Sequence, residues 1–69
     1  MDIKRFRERL TALGHPVPWR ASETDVGAVL DDRGDCAATV DVNADMSDRQ
    51  ATELAQLVAA AVNAAAGVS

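Results

Sequence analysis

The chain has 69 residues, 48% of them hydrophobic and 3% aromatic, and a formal net charge of −4. That length holds one small domain, and the negative balance excludes general binding to DNA, RNA or anionic lipid, which share its sign. Fourteen alanines dominate the apolar residues and Cys36 is the single cysteine, so a core without disulfides and a net stability of only about 3–5 kcal/mol are expected.

Ile3, Phe6, Leu10 and Leu13 recur at helical spacing and predict a first helix over about residues 2–13, with Asp2 as its cap and Gly14 as its left-handed stop. Its other faces carry Lys4, Arg5, Arg7, Glu8 and Arg9. His15-Pro16-Val17-Pro18 then forbids helix and reads as an extended connector. Trp19 is a core anchor, and a third short strand beside it would widen the sheet. Two strands are expected, over about residues 26–31 and 36–42, from period-two alternation. Val26, Ala28 and Leu30 share one face of the first strand, and Gly27 and Val29 the other. Cys36, Ala38, Val40 and Val42 share a face of the second. Asp32-Arg33-Gly34-Asp35 has hairpin-turn chemistry.

A strong start signal follows: Ser47 and Gln50 as a capping box, with Asp48 in the first turn. The helix should run over about residues 48–66 and bury Leu54, Leu57, Val58, Ala61, Val62 and Ala65, leaving Ala59, Ala60, Ala64 and Ala66 for a partner helix. The sum is an α+β domain: an N-terminal helix, an antiparallel hairpin and a long C-terminal helix packed on the sheet. The first residues do not have the pattern of a signal peptide and no apolar run reaches membrane-spanning length, so a cytoplasmic location is expected. There, Cys36 reads as a buried small hydrophobe.

The charges are sorted along the chain. Residues 1–20 hold five basic and two acidic side chains, a net +3; residues 21–69 hold nine acidic and two basic, a net −7. The acidic set Glu23, Asp25, Asp31, Asp32, Asp35, Asp41, Asp45 and Asp48 is the candidate partner-binding surface. Asp25, Asp31 and Asp41 are expected on one outward hairpin face. Aspartate is a poor strand former, so a row of it there suggests more than solubility. Carboxylates two residues apart on a strand lie about 6.7 Å apart, within a factor of about two of the phosphate spacing along DNA.

Other motifs carry less. Arg33-Gly34-Asp35 is turn chemistry. Asp41-x-Asn43-x-Asp45 begins like a calcium loop, but Met46 replaces its glycine and Thr52 its bidentate glutamate. The lone His15 has neither a metal-spaced partner nor a catalytic triad around it. No catalytic residue, metal or cofactor is therefore assigned.

Pro18-Trp19-Arg20, Val29-Leu30-Asp31-Asp32-x-Gly34, Ala38-x-Val40-Asp41 and Ala55-x-Leu57-Val58-Ala59-Ala60-Ala61-Val62-Asn63-Ala64 together resemble small acidic accessory proteins of bacteriophages and mobile elements, the anti-CRISPR proteins among them. The likeness covers about residues 18–66: a tryptophan-led hairpin, then a helix ending in Ala-Val-Asn-Ala. It implies a stoichiometric inhibitor and DNA mimic, whose carboxylates meet the lysines and arginines of a DNA-recruiting subunit in a CRISPR surveillance complex. It carries over no individual binding residue. Two other roles fit the same composition: a structural or assembly domain, homodimeric through its alanine-rich helix, and an antitoxin-like partner using the basic first helix.

Overall fold

The computed structural model describes residues 1–68. Helix α1 spans Ile3–Ala12, strands β1, β2 and β3 span Arg20–Ala21, Ala28–Leu30 and Cys36–Thr39, and helix α2 spans Asp48–Ala65. The strands form one antiparallel sheet in the order β1-β2-β3. This is the expected α+β architecture, including the short strand after Trp19.

The helix ends form as their sequences dictate. The Asp2 carboxylate accepts the Arg5 amide at 2.8 Å, and both bonds of the Ser47–Gln50 capping box are present. Each satisfies backbone donors that a helix start leaves orphaned.

The packing differs from the alternation pattern in three places. First, Ala21, Val29 and Ala38 are cross-strand neighbours, and Val29 is fully buried against Ala55 and Ala59 of α2, with Trp19, Val40 and Val58 around them. The Val29 face therefore meets the helix, and Val26 is 53% exposed. Second, α2 is rotated from the predicted stripe. It buries Ala51, Ala55 and Ala59, with Ala66 buried at its C-cap, while Leu57 is 60% exposed and Leu54, Val58 and Val62 are half-buried. Methyl side chains let the helix backbone lie close to the short strands; leucines there would hold it away. Ala59 and Ala66 thus lie inside, and the small residues left outward are Ala60, Ala61, Ala64 and Ala65, of which Ala61 and Ala65 were expected in the core.

Third, Val29 pairs with Ala38 but Leu30 pairs with Cys36, so Ala37 is an unpaired bulge residue. A bulge breaks the two-residue alternation, and Cys36 lies exposed rather than in the core. Gly27, with φ of +84°, sits where an added Cβ would lie 2.8 Å from the Val40 carbonyl oxygen. Only glycine allows that approach, and the Val40 amide uses it to reach the Gly27 carbonyl at 2.8 Å.

Candidate functional site

The fold divides the eight predicted carboxylates between two ends of the molecule. Strands alternate in direction, so the β1–β2 loop and the β3–α2 connection share one end, and the β2–β3 turn lies at the other. Glu23, Asp25, Asp41, Asp45 and Asp48 fall at the first end; Asp31, Asp32 and Asp35 fall at the second. A shallow groove between β1 and α2 joins the two ends, from Glu23, Val26 and Thr52 to Trp19 and Asn63.

Asp31 is not on an outward face. Its side chain has no accessible surface. One carboxylate oxygen accepts the Arg33 and Asp35 amides at 2.8 and 3.0 Å, and the other accepts His15 Nδ1 at 2.8 Å. The His15 hydrogen bond, followed by the backbone amides, outweighs burial and holds this carboxyl below its ordinary range. Asp31 orders the hairpin turn and ties the proline-rich connector to it. The same seam includes the Asp32 amide on the Pro16 carbonyl at 3.0 Å, and Trp19 Nε1 on the His15 carbonyl at 3.0 Å. The sequence pointed to Asp31 as a polar strand residue; only its distant partner His15 explains why an aspartate sits at a buried position.

Asp41 also departs from the predicted row. The strand stops at Thr39, and Asp41 has φ of +53°. Its carboxylate accepts the Asp45 amide at 2.8 Å and the Met46 amide at 3.1 Å. The Asp-x-Asn-x-Asp run is therefore a side-chain-closed turn leading into α2. The outward ladder of Asp25, Asp31 and Asp41 does not form.

The remaining acids stay open to solvent. Glu23, Asp25, Asp32, Asp35, Asp45 and Asp48 are exposed. Among the described residues, the salt-bridge contacts are the His15–Asp31 hydrogen bond at 2.8 Å and the Arg33–Asp35 pair at 4.0 Å. Glu23, Asp25, Asp45 and Asp48 thus make no ion pair at their end, where Arg49 on the first turn of α2 is a counter-charge.

Three apolar residues at this acidic end lie outside the core. Val26 is 53% exposed, Val42 81% and Met46 40%. The Val40 amide bonds the Gly27 carbonyl one residue from both Val26 and Asp41, Val42 follows Asp41 in the chain, and the Asp41 carboxylate accepts the Met46 amide, so all three lie at this end. The turn formers Asp41 and Asn43 on either side of Val42 are the sequence signal that the strand had already ended.

Neither a protein-family model, nor a curated protein, nor a solved structure matches this chain. No helix among the described residues is long and apolar enough to cross a membrane.

Proposed function

We propose that the protein is a stoichiometric binding module that presses its acidic end against a basic, nucleic-acid-binding surface of a partner protein. The observation that carries this reading is the group Glu23, Asp25, Asp45 and Asp48: exposed, unpaired by cations and gathered at one end by the β1–β2 loop and the run that leads into α2. Unpaired carboxylates keep their full field for a partner and steer its approach. The molecule is 19 × 18 Å in cross-section, which spans about five phosphates of one DNA strand at roughly 3.4 Å each. The acidic end therefore substitutes for a short run of backbone, as a plug in a DNA-entry site rather than a long duplex mimic. The resemblance to anti-CRISPR proteins points to a DNA-recruiting subunit of a CRISPR surveillance complex as the partner.

The test is binding to such a purified subunit, with rising salt and competing DNA. Binding should weaken at moderate salt and be displaced by DNA. Reversing Glu23, Asp45 and Asp48 to lysine should abolish it, whereas reversing Asp32 and Asp35 at the other end should not. Equal loss from both ends, or loss from neither, sinks the assignment to the acidic end.

A further inference from the structure

We propose that the two ends of this molecule are complementary to each other, so that α1 of one copy docks on the Val26–Val42–Met46 end of a second copy.

The receiving surface has an exposed apolar centre, with Val42 81% exposed, and an unpaired acidic rim of Glu23, Asp25, Asp45 and Asp48. Burying the centre is favourable only for an occupant that brings apolar side chains, and the rim selects one that also brings cations. Helix α1 has both properties. It has no buried residue; Lys4, Arg5, Arg7 and Arg9 are exposed, and its terminal apolar residues Ile3 and Leu13 are 58% and 65% exposed.

The fold keeps these surfaces apart within one chain. Ile3 packs at Gly67, beyond the C-terminus of α2, and Arg33 Nη2 in the β2–β3 turn donates to the Gly14 carbonyl. Both contacts hold α1 at the end opposite the acidic one. The 18 residues of α2 span about 27 Å, which fits only along the 35 Å axis of a molecule 19 × 18 Å across. The basic helix and the acidic end are thus separated by most of the length of the molecule, and they meet only between copies. The contact is heterologous, so it propagates head to tail. It stands apart from the partner reading above, although a basic partner would compete for the same acidic end.

Sedimentation equilibrium of the intact protein tests this. In about 0.01 M salt, where charges act over about 30 Å, the weight-average mass should climb above the 7.3 kDa monomer as concentration rises. It should return to the monomer near 1 M salt, where that range falls to about 3 Å. Two exposed-site variants then separate the ends: Val42→Lys with Met46→Lys, and Arg5→Glu with Arg9→Glu. Each alone should be monomeric. Mixed, the intact α1 of the first should meet the intact acidic end of the second and stop at a dimer. A parent that stays monomeric at low salt and high concentration overturns the proposal. So does a mixture of folded variants that fails to associate, or a variant that still self-associates alone.

Discussion

Asn63 stands in for a missing strand. Its Oδ1 accepts the Trp19 amide at 2.7 Å, and its Nδ2 donates to the Trp19 carbonyl at 2.9 Å. On β1, Arg20 is paired with Leu30 and the Ser22 amide bonds the Ala28 carbonyl, so the backbone groups of Trp19 point away from β2 and toward α2. Removing the amide in Asn63→Ala deletes two bonds worth about 1 kcal/mol each, and leaving both backbone groups poorly solvated raises the loss toward about 4 kcal/mol. Alanine returns up to about 0.7 kcal/mol as the better helix former. The net cost is about 1.5–3 kcal/mol, a large share of the roughly 3–5 kcal/mol such a domain possesses. For a domain of this size, that lowers Tm by about 6–24 °C. Thermal and urea unfolding, followed by circular dichroism and by the fluorescence of the single tryptophan, measures it directly. Asn63→Asp keeps the acceptor for the Trp19 amide but sets a second oxygen against the Trp19 carbonyl. It should be destabilised at neutral pH and partly recover in acid, when the carboxyl regains a proton to donate. A Tm for Asn63→Ala within a degree or two of the parent would show that this amide does not hold β1 to α2.

Three further outcomes follow from the packing and from the buried carboxylate. The Asp31 carboxyl is held below its ordinary value of 3.8, so its contribution is fully present above that pH and drains away as pH falls through the lower folded value. Asp31→Asn should be less stable than the parent at pH 7, and the gap should narrow steadily below about pH 4; parallel acid-unfolding curves refute the linkage. Ala55 is 1% exposed and Leu57 is 60% exposed, so Ala55→Leu should cost about 1–3 kcal/mol and Leu57→Ala no more than about 0.5 kcal/mol. Chemical denaturation that ranks them the other way would restore the leucine stripe as the buried face. Gly27→Ala meets both a positive φ and the Val40 carbonyl; where an unstrained glycine replacement would stabilise by up to about 1 kcal/mol, this one should destabilise by more than that, read as a fall in the urea midpoint at unchanged slope.

Local signals in the sequence determined what local physics controls. The period of Ile3, Phe6, Leu10 and Leu13, the Ser47–Gln50 box, the glycines after each helix and the turn residues around Gly34 each act within a few positions. Both helices and the hairpin appear where these signals place them, with β2 and β3 shorter than the alternation suggested, and the α+β class follows. Which face of each element turns inward was decided by partners far away in the chain. Alternation around Val29 is symmetric enough to read either way, and α2 has both a leucine stripe and an alanine stripe. The choice came from how closely α2 approaches three very short strands, which favours Ala55 and Ala59 over Leu57. The acidic set divided for the same reason. Charge sorting along the sequence marked an acidic surface, but His15, 16 residues away, drew Asp31 into a buried hydrogen bond. Asp41 was drawn into a turn, and Val26, Val42 and Met46 were left outside among the remaining carboxylates. A carboxylate's desolvation cost is offset only by donors that the folded chain brings to it, so the division between structural and exposed acids belongs to the tertiary structure.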